Sequence, residues 1–231
     1  MKSFVVIPAR GGSKGIPGKN IKLLAGKPLI RYAIDSALEI FGKEEIIVST
    51  DDIFIRKEVE NTGLNVPFLR PEHLATDTSG TYEVLLHALD FYEKLNGPVD
   101  ALILLQPTSP FRTAKHIEEA MEIFKCTESV DMVVSVCRSK ANPYYNLFEE
   151  NPSGYLEASK KSNFKRRQDC PSVWEYNGAI YVIKTSSLRK SPLDKFRNIK
   201  KYEMHYEDSL DLDTPIDWQL AELILQGKVN I

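Results

Sequence analysis

Short apolar runs rich in β-branched residues alternate with longer segments of helical period over roughly the first 137 residues, and this alternation restricts the fold more than any other feature of the chain. Ser3–Ile7 (closed by Pro8), Ile46–Val48, Ala101–Leu105 and Met132–Val136 read as buried strands. Between them, Ile30, Ala33, Ile34, Ala37, Leu38 and Phe41 recur at helical spacing behind Pro28, with Gly42 as the stop. Asp51 or Asp52 can cap a second helix, which Gly63 ends. Thr81 can start a third, through Val84, Leu85, Ala88, Leu89 and Tyr92, broken at Asn96-Gly97-Pro98. Thr113 caps a fourth, through Ile117, Ala120, Met121 and Phe124. Such alternation predicts an α/β fold, a mainly parallel sheet with helices on both faces. Ligands of such sheets bind beyond the carboxyl ends of the strands. Chemistry is therefore expected in the loops 8–20, 50–52 and 106–113.

After Cys137 the rhythm changes. Residues 138–176 lack helical period and carry Pro143, Pro152, Gly154 and Pro171. So long a structureless loop is unusual in a compact domain, and the segment reads as an inserted β-rich arm. Trp174, Tyr176 and Tyr181 are expected to pack it against the sheet, which resumes over Ala179–Ile183. Thr214-Pro215-Ile216-Asp217 starts a last helix, ended by Gly227. The whole chain, 1–231, reads as one domain carrying one arm.

Composition narrows the class. Lys and Arg total 30 against 32 Asp and Glu, and 42% of residues are hydrophobic. That excludes a disordered chain and argues against a nucleic-acid binder, which wants a basic surface. Cys126, Cys137 and Cys170 are odd in number and lack metal or redox spacing, so free thiols in a reducing compartment are expected. The N-terminal apolar run is too short for a signal peptide, and no run approaches the ~20 residues of a membrane span. The chain reads as cytoplasmic.

The charge is unevenly distributed. Lys2, Arg10, Lys14, Lys19, Lys22, Lys27 and Arg31 all precede the first acid, Asp35. Glu207, Asp208, Asp211, Asp213 and Asp217 crowd the other end. A basic head and an acidic tail can form opposite walls of one site holding an anion and a metal.

The basic head contains Ala9-Arg10-Gly11-Gly12-Ser13-Lys14-Gly15-Ile16-Pro17-Gly18-Lys19-Asn20. Its glycines let the backbone approach a ligand and turn N–H groups inward, and Arg10, Lys14 and Lys19 add charge. Directly after a strand, this reads as a triphosphate cradle. It is neither a Walker A loop, since G-x-x-x-x-G-K-[ST] is absent, nor the dinucleotide fingerprint. Gln106-Pro107-Thr108-Ser109-Pro110-Phe111-Arg112 follows another strand, with a stiff backbone and three polar side chains. Asp211 and Asp213 stand two apart, so on an extended segment both carboxylates face one way. Mg²⁺ typically takes one or two carboxylates plus substrate phosphates.

The run A-R-G-G-S-K-G-I-P-G-K-N-I-K resembles the signature of the acylneuraminate cytidylyltransferases. Further matches follow in family order: Val48–Asp51, Leu69–Pro71, Leu74–Thr78, Gln106–Pro110, Arg166–Asp169, Asn177–Tyr181 and Asp208–Asp213. They span residues 4 to about 226. The 3-deoxy-manno-octulosonate cytidylyltransferases share the fold, but the N-terminal loop and the Gln106 segment are more similar to the sialate branch. The resemblance implies a Rossmann-like nucleotidyltransferase fold in which CTP and a nonulosonic acid give a CMP-sugar and diphosphate with Mg²⁺. It implies Ala9, Arg10, Gly11, Ser13, Lys14, Lys19, Asn20, Arg70 and Thr81 at the nucleotide. It implies Gln106, Thr108, Ser109, Arg167 and Asn177 toward the sugar, and Asp211 and Asp213 at the metal. Arg10, Lys14 and Lys19, with the metal pair, would stabilise charge on the leaving diphosphate. It further implies that the arm dimerises, bringing Arg167 to a neighbour's site in a homodimer; charge balance and the short apolar runs argue against a nucleic-acid or membrane partner. At Asn142-Pro143-Tyr144-Tyr145 the chain carries aromatics where some family members have lysine, so which sugar it takes stays open. An octulosonate or other nucleotide-sugar enzyme on the same fold, and a nucleotide-binding module without turnover, are the alternatives.

Overall fold

The computed structural model describes residues 1–13, 15–76 and 80–229. Among these residues six strands make the central sheet: β1 (Ser3–Pro8), β4 (Ile46–Ser49), β5 (Ala101–Leu105), β6 (Met132–Arg138), β9 (Trp174–Lys184) and β10 (Ile199–Glu203). Their order is β10-β6-β9-β5-β1-β4. β1 pairs in parallel with β4 and β5, and β6 with β10. β9 alone runs antiparallel, wedged between β5 and β6. The sheet is thus mainly parallel, as expected, with one reversed strand. β10, which carries Lys200 and Lys201 on an exposed edge, goes unseen in the sequence because its apolar pattern is broken.

Every β1 side chain from Ser3 to Ile7 is buried, and the two faces divide them. Val5 and Ile7 join one core with Ala33 and Ile34 of α1 (Leu29–Leu38), Ile55 of α2 (Ile53–Glu60) and Ile117 of α4 (Ala114–Cys126). Phe4 and Val6 join the other with Leu85 and Leu89 of α3 (Thr81–Asn96) and Leu188 of α5 (Thr185–Leu188). Alternation at period two on strands covered on both sides produces this three-layer arrangement.

The caps follow the expected chemistry with small shifts. Asp52 accepts the Phe54 and Ile55 N–H groups at the start of α2, and Thr113 caps α4. Thr214 caps α6 (Pro215–Leu225) and Asp217 returns a bond to its N–H. Pro28 is the N-cap of α1, and that helix ends at Leu38, short of Gly42. α3 starts at Thr81 as expected, with Gly80 as its N-cap.

β6 runs on to Arg138 and β9 begins at Trp174, so both ends of the predicted arm belong to the sheet. Within the arm, regular strand is confined to the hairpin β7 (Phe148–Glu150) and β8 (Leu156–Ala158). Tyr176 and Tyr181 lie on β9 itself, 6.2 Å apart edge to face.

A third apolar cluster decides the site. Ile16 of the glycine-rich loop, Leu24 of β2 (Leu23–Leu24), Leu29 beside β3 (Lys27–Pro28), Leu212 and Trp218 of α6 pack together. The head and the tail of the chain share this small core.

Candidate active site

In the sheet order, β4 and β5 lie on opposite sides of β1, so the crevice beyond the ends of β1 and β5 is a topological switch point. A cleft of about 370 Å³ opens there, lined by Arg10, Ser13, Lys19, Asn20, Arg70 and Gln106 among others. A second cleft of about 570 Å³ adjoins it, sharing Gly80, Thr81 and Gln106 and walled by Tyr176, Tyr181 and Leu193.

The glycine-rich loop is held from both ends. Ala9 N–H donates to the Ser49 carbonyl at 2.9 Å, continuing the β1–β4 ladder. Gly11 N–H donates to Asp51 Oδ1 at 3.1 Å. A Cβ on Gly11 would come within 2.5 Å of Asp52 Oδ2, so the loop needs glycine to cross the α2 cap. Asn20, 7% exposed, donates to the Arg10 carbonyl at 2.9 Å. Arg10 itself donates to the Thr76 carbonyl at 3.3 Å. Lys14, and Asp77 and Thr78 of the motif after Leu74, lie outside the described residues.

Lys19 crosses to the acidic tail. Its Nζ donates to the Leu212 carbonyl at 2.8 Å and pairs with Asp213 at 3.1 Å. Leu212 N–H in turn donates to the Thr108 carbonyl at 3.0 Å, which ties the acidic segment to the Gln106 loop. The expected meeting of basic head and acidic tail is therefore made by Lys19 and Asp213.

The two aspartates differ. Asp213 is open, with 71% of its side chain exposed. Asp211 is partly buried, and its buried Oδ1 has no hydrogen-bond partner among the described residues. Burial pushes the Asp211 carboxyl above the usual carboxylate range; the charge of Asp213 adds to this, and the Thr108 hydroxyl and Lys19 oppose it. A buried carboxylate oxygen without a donor is costly, and a cation there would relieve it. The donor set is two carboxylates, and no group of three or more His, Cys, Asp or Glu is assembled among the described residues. That suits Mg²⁺ completed by substrate phosphates.

The remaining residues separate into those that face the clefts and those that support them. Arg70 is 7% exposed; its guanidinium donates to Ser49 Oγ at 3.0 Å and to the Ser49 carbonyl, and burial lowers its pKa. Thr81 sits at the N-terminus of α3, whose dipole favours an anion. Gln106 lines both clefts, and Thr108 lines the first. Ser109 is wholly buried and its hydroxyl donates to the Asn177 carbonyl at 3.3 Å. Asn177 is 4% exposed, and its amide is consumed by Ser135, Ala179 and Ser209. Both support the cleft wall from behind. Arg167 is not brought to either of these clefts within the chain. It lines a third one at the arm root with Arg138 and Lys140, and donates to the Lys140 carbonyl at 2.9 Å.

Two participants, Arg112 and Ser135, are given no role by sequence reasoning. Ser135 leaves a trace, a lone hydroxyl inside the apolar strand Met132–Cys137. Arg112 shows none, because one of its two partners, Ala179, is distant in sequence.

A family model described as "Cytidylyltransferase" matches residues 4–229. The chain belongs to the cytidylyltransferase family. It is 36% identical, over 98% of its length and 97% of the other's, to a CMP-N,N'-diacetyllegionaminic acid synthase of Legionella pneumophila. It is 39% identical over 94% of its length to an N-acylneuraminate cytidylyltransferase of Streptococcus agalactiae, of which it spans 52%. The solved CMP:2-keto-3-deoxy-manno-octonic acid synthetase in complex with CTP superposes with a TM-score of 0.74 at 21% identity, covering 99% of this chain and 100% of that one. That likeness establishes the nucleotidyltransferase fold. The cytidylyltransferase reading is the one that the loop signature implied. No helix among the described residues is long and apolar enough to cross a membrane.

Proposed function

We propose that this cytidylyltransferase joins CTP to a nonulosonic acid of the sialic type, releasing diphosphate and a CMP-sugar. The observation that carries the reading is the junction at Lys19: a cationic glycine-rich loop meets an aspartate pair in which the buried Oδ1 of Asp211 has no donor among the described residues. Full-length similarity to the legionaminic and sialic enzymes supports the acceptor class.

In this reading the triphosphate lies along the loop, against Arg10, Ser13, Lys14 and Lys19. Arg70 and Thr81 stand toward the base, and the acceptor occupies the adjoining cleft beside Gln106. The anomeric hydroxyl attacks the α-phosphorus in line, its proton leaves, and the bond to the diphosphate breaks. Arg10, Lys14 and Lys19 take up the charge that builds on the departing diphosphate, by positioning and electrostatics without a covalent enzyme intermediate. Asp211 and Asp213 would hold Mg²⁺, which when bound neutralises phosphate charge.

The arm supplies the oligomer. Tyr145, Leu147, Phe148, Tyr155 and Leu156 each leave at least 42% of their surface in water, a patch suited to a second copy. A homodimer would let the partner's arm present Arg167 to the acceptor's carboxylate, which a guanidinium binds through two bonds. Three free thiols agree with a reducing, cytoplasmic setting.

The test is diphosphate release by the purified protein with CTP, against ATP, GTP and UTP. The acceptors are N-acetylneuraminic, deaminated, legionaminic, pseudaminic and 3-deoxy-octulosonic acids, with and without Mg²⁺. Turnover that requires CTP, Mg²⁺ and one of the nine-carbon acids is the expected result. Preference for the octulosonic acid would move the chain to the other branch. Binding of CTP without turnover on any acid would make it a nucleotide-binding module.

A further inference from the structure

β9 does not run evenly past β6. Val134 pairs with Tyr181 but Val136 pairs with Tyr176, so β9 carries extra residues over one step of its neighbour. Such bulges re-aim side chains next to active sites. Ser135 fills the gap: its Oγ accepts from Ile180 N–H at 2.7 Å and donates to Asn177 Oδ1 at 2.6 Å. Gly178 stands in the bulge at φ +73°, a left-handed conformation that favours glycine. A Cβ there would lie 3.4 Å from Asp211 Oδ2 and 3.6 Å from Gln106 Oε1. The bulge therefore lies next to Asp211 and to Gln106, which lines both clefts.

Arg112 holds this bulge from behind. It is 3% exposed, and its Nη1 donates to the Gln106 carbonyl at 3.0 Å and to the Ala179 carbonyl at 2.7 Å. Its Nε and Nη2 are buried without partners among the described residues. Burial alone lowers its pKa, to about 9, with no carboxylate opposing. A guanidinium taken out of water without an anion is expensive, and an apolar side chain would fill the space without that cost. What the guanidinium does here and an apolar chain could not is fasten two loops at one nitrogen.

We propose that Arg112 is a positioning residue for the acceptor. It fixes the Gln106 loop against the Asn177–Ala179 bulge and so sets where the Gln106 amide stands between the clefts. The inference rests on reading the cleft beside Gln106 as the acceptor's. The CTP end is built on the glycine-rich loop; the bonds of Arg112 among the described residues go to Gln106 and Ala179 and none to that loop, so the two substrates respond differently to its loss.

The test is steady-state diphosphate release by Arg112→Met and Arg112→Lys, with melting curves, using the acid that serves the wild type. KM for the acid is expected to rise about tenfold or more in Arg112→Met, with KM for CTP within about twofold. Arg112→Lys, which can still donate to one carbonyl, should recover part of the loss. Gln106→Ala should show the same split, and adding it to Arg112→Met should cost little more. If Arg112→Met does not fold, Arg112→Lys decides the matter by the same split. An unchanged acceptor KM in folded variants, or equal rises for both substrates, overturns the inference while leaving the function intact. A wild type that turns over no acid overturns the functional reading itself.

Discussion

A Cβ built on Gly15 would stand 2.3 Å from the carbonyl oxygen of Asp213, nearly two hundred positions away in sequence. Only glycine allows the loop backbone to pass that close. Ile16 and Leu212, the next residue on one side and the preceding one on the other, share an apolar cluster that holds the two segments in contact. Gly15→Ala must move one of them, and Lys19 would lose register with Leu212 and Asp213. Its kcat/KM in diphosphate release is expected to fall at least about tenfold. A variant with wild-type kcat/KM would show that the close approach is not needed.

Asp211 sets stability against activity. Its carboxylate is held in a place that favours the neutral form, with one oxygen unpaired. Asp211→Asn removes the buried charge, so the melting temperature should hold or rise. Turnover should fall by about two orders of magnitude, the scale of losing a charged group at a reacting centre. A variant that keeps near-wild-type turnover would remove Asp211 from the proposed Mg²⁺ site.

Asp131 fastens the far edge of the sheet. It accepts from Ser187 Oγ at 2.7 Å and from the N–H groups of Asn198 and Arg197 at 3.0 and 3.3 Å. These bonds, that of Ser187 first, hold its pKa below the ordinary 3.8. A depressed carboxyl stabilises the fold above its unfolded pKa and loses that contribution as pH falls through the folded one. Asp131→Ala should cost about 1–2 kcal/mol at pH 7, and the gap to the wild type should close in denaturant melts below pH 3.8. A gap that is the same at both pH values would place the effect outside the ionised carboxylate.

The three thiols should react unequally. Cys137 is 4% exposed, and burial, reinforced by a bond to Glu175, pushes its thiol up to about 11. Cys126 is exposed and Cys170 partly so. Titration of the native protein with a thiol reagent at pH 8 should find two reactive groups, and the third only on unfolding. Modification of Cys137 in the native protein would show that β6 opens locally.

The strands and most helix caps were legible because local chemistry alone dictates them. A β-branched run such as Ile46–Val48 has few alternatives to a buried strand, and Asp52 or Thr214 caps whatever helix follows. β10 was not legible, since an edge strand with two exposed lysines does not alternate as a buried one does. The antiparallel sense of β9 was also hidden, because pairing direction belongs to the connection and not to the strand.

For the site, the candidate groups are visible in the sequence alone: a cationic glycine-rich loop after β1, a stiff polar loop after β5, and two aspartates two residues apart. The resemblance of these segments added their shared reaction. Tertiary structure decided which of the residues face a ligand. Ser109 and Asn177 look as suited to hydrogen bonding as Gln106, yet both are spent inside the protein. Arg112, to which the sequence assigns no role, is buried and fastens the bulge. Arg167 stands apart, at the arm root. The physical reason is that donors and acceptors are consumed by whatever packing brings near them, and packing between segments such as Gly15 and Asp213 is a property of the assembled core rather than of either segment.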